Sequence, residues 1–177
     1  MAARRDPLLV HNFQVALVDR ANSATDGSGL ATFALSTAGV TTAAGFSEVS
    51  GLEMTMEVEE YRAGGQNGAV LKFPGPLRWS NLVMTRGVIA RRDDNDHSDL
   101  WTWIQTFIDG QGVRRDGVIT LLDEAQVPQL VWRWCGGLPA NWKGATMNAA
   151  QNQVAIERIE ISHEGLFLMQ SGSARPL

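Results

Sequence analysis

Alternation of apolar and polar positions dominates this chain, and it predicts strands far more often than helices. Phe13, Val15 and Leu17, with Leu9 ahead of them, share one face of a first strand over residues 9–18. Residues 21–44 are rich in Ser, Thr, Gly and Ala and hold one short apolar patch, Leu30 to Leu35, which reads as a surface excursion with at most a minor hairpin. The pattern then sharpens: Leu52, Met54, Met56 and Val58 alternate with Glu53, Thr55, Glu57 and Glu59, as a half-buried strand should. Gly64 to Gly68 turns the chain, residues 70–73 run back, and Pro74-Gly75-Pro76 is expected to stop that strand. Residues 81–89 alternate with both faces fairly apolar, which suggests a strand covered on both sides.

One helix stands out. Asp96 is placed to cap free backbone amides and Asp99 adds favourable charge in the first turn. Leu100, Ile104, Phe107 and Ile108 share a face, Trp101 and Trp103 fall on its margins, and Gly110 and Gly112 end it. Residues 117–122 and 129–135 form a hairpin around 123–128, with Trp132 and Trp134 on one face. In the last segment Val154 and Ile156 are out of phase with Ile159 and Ile161, so a bulge near Glu157 or burial of both faces is expected. The sum is a mainly β domain, a two-sheet sandwich or partly open barrel with one packed helix, spanning residues 1–177 as a single unit.

Composition adds exclusions. The 177 residues are 44% hydrophobic and 19% charged with one cysteine, Cys135, so the core needs neither a disulfide nor a metal staple. The apolar run at residues 8–10 is too short for a signal peptide, and no stretch approaches the roughly 20 apolar residues of a membrane span, so cytosolic synthesis is expected. A net charge of −4, with no run of basic residues longer than the pairs Arg4-Arg5, Arg91-Arg92 and Arg114-Arg115, argues against nucleic-acid wrapping.

Candidate chemistry fades on inspection. Asp94, Asp96 and Ser98 imitate a calcium loop, but Asp99 stands where glycine is needed and Gln105 where a bidentate glutamate belongs. Ser162, His163 and Glu164 cannot act as a triad on one strand, because neighbours point to opposite faces. Gly64-Gly65-Gln66-Asn67-Gly68 lacks the Lys-Ser/Thr of a phosphate cradle. No catalytic residue, cofactor or metal is expected.

Several stretches in order carry a resemblance. They are Asp6-Pro7, Asn12-Phe13, Gly45 to Glu53, Glu60-Tyr61-Arg62 with Gly64, Phe73-Pro74-Gly75, Asn81 to Gly87, Leu100 to Trp103, Leu121 to Glu124, Trp132 to Trp134, Leu138-Pro139, Val154 to Glu157 and His163 to Leu166. Together they resemble the phage tail tube family, especially inner tube subunits of contractile injection systems of the Photorhabdus virulence cassette and antifeeding prophage type. Residues 21–44 are longer than the usual link, and Phe73 stands where leucine is common. The resemblance implies a non-enzymatic structural protein whose hexameric rings stack into a hollow tube, with sheets continued between subunits. It implies sheath subunits, baseplate or hub proteins, a tube-terminating cap and lumenal cargo as partners, within a phage-tail-like particle. A ring next to the baseplate is the alternative position, and a small-ligand barrel or hydrolase the remote one. For such a subunit, Glu57, Glu59, Tyr61, Arg62, Gly64, Gly65, Gln66, Asn67 and Gly68 are the expected ring-to-ring contacts, and Asp94, Asp96 and Asp99 the expected sheath-facing groups.

Overall fold

The computed structural model describes residues 8–19, 42–62, 64, 68–88 and 100–169. Ten strands and one helix occupy them: β1 (Phe13–Asp19), β2 (Thr42–Ala44), β3 (Phe46–Ser50), β4 (Met54–Tyr61), β5 (Leu71–Trp79), β6 (Leu82–Gly87), α1 (Leu100–Ile108), β7 (Arg115–Leu122), β8 (Pro128–Lys143), β9 (Ile156–Ser162) and β10 (Gly165–Met169). All pairings are antiparallel. The main sheet follows the order β2-β1-β7-β8-β9-β6-β3, with β10 also on β8.

Strand β8 is the hinge of the architecture. Its first half pairs with β7 and β10, and its second half, from Leu138 to Lys143, pairs with β9. Between the halves Gly136 has φ +62°, and a side chain there would collide with Glu164. Asp116 secures the bend: Gly136 N donates to its Oδ1 at 2.8 Å and Arg133 Nη2 to its Oδ2 at 3.1 Å. The sheet therefore folds over on itself, and its path begins and ends on β2 and β3, which are separated only by Gly45. Among the described residues the result is a partly open barrel without a continuous closing ladder, mainly β with one helix, as the alternation implies.

The core lies between the two halves. Val15 and Leu17 of β1, Phe46 of β3, Leu82 and Met84 of β6, Ile119 of β7, Trp134 of β8, and Ile159 and Ile161 of β9 are buried together with Leu100 and Trp103 of the helix. Trp134 packs so closely over Gly117 that a Cβ on that glycine would stand 2.0 Å from its ring. Trp103 is held by its indole N–H, which donates to Val113 O at 2.7 Å, and by Arg115 lying 5.2 Å above its ring. Gly110 and Gly112, both at positive φ, end the helix.

Several expectations are corrected. Leu9 lies outside β1 and is exposed. Residues 42–44 pair with β1, so the end of the expected excursion is a strand; residues 20–41 lie outside the described residues. The hairpin strand over 129–135 continues to Lys143, because the glycine pair bends the strand and does not end it. The buried helix face is Leu100 and Trp103, not the Phe107 and Ile108 end, since α1 meets β8 through its first turns.

The expected phase slip in β9 does not occur. Residues 157, 159 and 161 all point inward, and Glu157 occupies the first inward position because Arg86 of β6 meets it there. Arg86 Nε donates to Glu157 Oε1 at 2.7 Å, Trp142 Nε1 donates to Oε2 at 3.0 Å, and the guanidinium lies 5.8 Å from the centre of the Phe46 ring. A buried charge is tolerated when it is paired and hydrogen-bonded, and this pair takes the place of two apolar side chains.

Candidate assembly interface

Among the described residues, strands β4 and β5 pair only with each other. They continue the β3–β6 pairing past Gly51 and Ser80-Asn81 in the same register, so one long hairpin has its inner half in the barrel and its outer half projecting from it. The junction is tight. Gly51 has φ +87°, and a Cβ there would stand 2.1 Å from Asn81 O. Ser80 Oγ donates to Glu53 Oε2 at 3.1 Å, and Ser80 O accepts from the His163 ring at 3.1 Å. Burial holds the His163 imidazole below its ordinary pKa.

The two faces of this ribbon differ. The register sets Met54, Met56 and Val58 with Leu77 and Pro74 on one face, ending at the Glu60–Lys72 pair. Thr55, Glu57, Glu59 and Tyr61 with Arg78, Phe73 and Leu71 form the other, where Arg78 Nε donates to Glu57 Oε1 at 2.6 Å. Among the described residues neither face is covered. Every residue of β4 is exposed, Met54 at 58%, Met56 at 48% and Val58 at 54%, and Phe73, Leu71 and Leu77 are exposed as well. This corrects the expectation of a half-buried strand: the alternation is real, but among the described residues no layer covers it.

Pro74-Gly75-Pro76 does not stop β5. It lies within the strand, at the register shift between Met56 and Val58, where Gly75 lets the backbone approach Glu57 O closely enough that a Cβ would stand 2.8 Å away. Both strands of a two-stranded ribbon are edges, so prolines without N–H groups are tolerated.

Of the residues expected at a ring contact, Glu57, Glu59 and Tyr61 lie on one face of the ribbon, and Arg62, Gly64 and Gly68 are exposed at its tip. Gly65, Gln66 and Asn67 lie outside the described residues, as do Asp94, Asp96 and Asp99. The exposed apolar set Met54, Met56, Val58 and Leu77 is not among the residues expected at a ring contact, because its alternation reads as a face of the chain's own core. Among the described residues, β10 and the second half of β8 each have a further edge without a strand partner; Phe167 and Leu168 on β10 are exposed.

Chemistry elsewhere is sparse. His163 serves the hairpin junction and Glu164 receives Arg114 Nη1 at 3.0 Å, so Ser162, His163 and Glu164 do not converge. Among the described residues no cluster of three His, Cys, Asp or Glu side chains is placed to hold a metal, and no helix is long and apolar enough to cross a membrane.

Three solved structures resemble the fold over nearly the whole chain. A chain of the anti-feeding prophage baseplate shares 24% identity and a TM-score of 0.73, covering 94% of this chain and 98% of its own. A chain of the anti-feeding prophage tube-terminating cap shares 21% with a TM-score of 0.72, covering 97% and 96%. A chain of the sheath–tube complex of an extracellular contractile injection system, PVC, in its extended state shares 21% with a TM-score of 0.69, covering 93% of each. A search of the curated proteins gives no match. The family model described as T4-like virus tail tube protein gp19 matches residues 11–167, and by that match the chain belongs to the T4-like tail tube protein family.

Proposed function

We propose that this chain is the inner tube subunit of a contractile injection system, forming hexameric rings that stack into a hollow conduit. Contraction of a surrounding sheath drives the conduit into its target, with cargo in the lumen and the acidic segment of Asp94, Asp96 and Asp99 toward the sheath. Family membership supports a structural, non-enzymatic role, and the structures with this fold are drawn from sheath–tube, baseplate and cap assemblies.

The observation that carries the reading is the projecting ribbon, apolar on one face and uncovered on both. A lone two-stranded ribbon is marginal in water. Burying a Met, Leu or Val side chain contributes about 1.5–3 kcal/mol, so covering Met54, Met56, Val58 and Leu77 with another copy stabilises both ribbon and ring stack. Borders of β10 and β8 that are unpaired among the described residues supply hydrogen-bonding edges to neighbours in the same way. Head-to-tail contacts that close by rotation give rings, and those that do not close give an open polymer; a tube combines the two.

Negative-stain imaging of the purified protein tests this. Six-fold rings and long tubes are expected, and a monodisperse monomer at high concentration overturns the reading. The fold resembles chains from baseplate and cap assemblies as well as from a sheath–tube complex, which supports a second position, a ring at one end of the tube. Single rings that never elongate favour that position over the shaft.

A further inference from the structure

The second half of β8 and strand β9 place two cations where intrachain chemistry gives no reason for them. Lys143 and Arg158 are direct cross-strand partners, and like charges so placed destabilise an antiparallel pair. Both are exposed, and among the described residues neither has an ion-pair partner. With Asn141 and Glu160 they line a pocket of about 170 Å³ on the outward face of the sheet. Glu160 does not neutralise them both: it brings one negative charge against two positive ones, and Asn81 Nδ2, donating to its Oε1 at 2.8 Å, fixes one of its oxygens. The pocket keeps two cations against one engaged carboxylate, beside an edge with no strand partner among the described residues.

The ribbon carries the complement. Glu57 is neutralised by Arg78 and Glu60 by Lys72, but Glu59, opposite Phe73 on the outer part of the ribbon, has no ion-pair partner among the described residues. It is exposed on a projecting arm beside the exposed apolar side chain of Phe73 and near Tyr61. One copy therefore offers an unneutralised carboxylate on an arm and an unneutralised cationic pocket on its body.

We propose that Glu59 of one copy docks into the Lys143–Arg158 pocket of a second copy, fixing the register of the ribbon on its neighbour. The inference rests on the reading of this chain as a self-assembling tube subunit and names the charge pair that orients one contact. The occupant is a second copy because the complementary charge is on this same chain. A head-to-tail pairing of two unlike surfaces is the kind that propagates, and close interfacial charge pairs set register and partner choice.

A charge-swap cycle tests it, read as the critical concentration for assembly by sedimentation, with tubes counted by electron microscopy. Glu59→Lys alone, and Lys143→Glu with Arg158→Glu, are each expected to raise the critical concentration by about tenfold or more, the effect of losing roughly 1.4 kcal/mol per contact. Combining the three substitutions is expected to restore assembly to near the wild-type value. Circular dichroism and thermal unfolding of each variant below its critical concentration verify that the fold is intact. Single-site variants that assemble like wild type overturn the proposal, and so does a combined variant no better than the product of its parts. Assembly that is insensitive to Glu59 but inhibited by added inorganic phosphate in a Lys143- and Arg158-dependent way assigns the pocket to a different anion and also overturns it. If the wild-type protein itself forms neither rings nor tubes, the failure lies in the tube-subunit reading.

Discussion

The β6–β9 pair and the β4–β5 ribbon alternate apolar and polar residues equally well, yet they meet opposite fates. In β9, Glu157, Ile159 and Ile161 point into the core and are sealed there by β6, Phe46 and Trp134. In β4, Met54, Met56 and Val58 follow the same period and every one of them is exposed. The hairpin that contains both β4 and β6 is continuous in register, so the change happens within one piece of secondary structure, at Gly51 and Asn81. Alternation fixes that a face will be covered; it does not fix which molecule covers it. On the proposed reading, stability and assembly lie on separate parts of the same hairpin, and that separation can be attacked from either side.

The largest effect is expected in the body. Trp134→Ala removes a fully buried ring that fills the space above Gly117 and should lower stability by about 3–5 kcal/mol, measured by urea unfolding of the dissociated subunit. A loss below about 1 kcal/mol would mean that the two halves of the sheet do not share one core.

Next comes the buried pair. Glu157→Leu strands the Arg86 guanidinium in the interior and should cost about 3 kcal/mol. Adding Arg86→Met should return most of that loss, because a well-packed apolar replacement of a buried ion pair is often neutral or stabilising. A double variant as unstable as the single would show that the pair's geometry, beyond its charge balance, holds β6 to β9.

In the ribbon the same treatment should leave stability alone. Met54→Ser, Met56→Ser and Val58→Ser should each change unfolding of the dissociated subunit by no more than about 0.5 kcal/mol, as exposed positions do, while the triple variant fails to form tubes in the electron microscope. Loss of subunit stability comparable to Trp134→Ala would place the covering layer inside the chain.

The smallest effect concerns His163 at the junction. Burial depresses its pKa from the ordinary 6.5, so above that value native and unfolded chains are both neutral and stability does not depend on this group. As pH falls below 6.5 the unfolded chain protonates first, and stability declines through the window down to the depressed native value. His163→Gln should remove that slope in thermal unfolding scans from neutral to mildly acidic pH. An unchanged slope would assign the titration elsewhere.

How much of this was legible in the sequence varies by element. The strands β1, β6 and β7 could be read directly, because their apolar periods match the layers they bury; the helix and its glycine end were legible too, but its buried face, Leu100 with Trp103, was not. Strand β9 could not be phased correctly, because Glu157 is a polar residue at a core position and only its pairing with Arg86, 71 residues away, explains it. Strand β8 was cut short for a related reason: Gly136-Gly137 looks like a stop and acts as a bend. Pro74-Gly75-Pro76 misled in the same way, since proline ends a central strand but not a ribbon that is all edge. For the proposed interface, the carboxylates of Glu57 and Glu59 were visible as the polar half of the alternation. Lys143 and Arg158 were not, because only the β8–β9 register brings them side by side.

The central claim is that another copy of this chain covers the ribbon, and hydrogen exchange on residues 54–61 and 71–79 tests it most directly, comparing dissociated subunits with assembled protein. The account predicts rapid exchange of the outward-facing ribbon amides in the subunit and strong protection on assembly, with the amides of β7 and β9 already protected in both. Ribbon amides that exchange as fast in the assembled protein as in the subunit would contradict it.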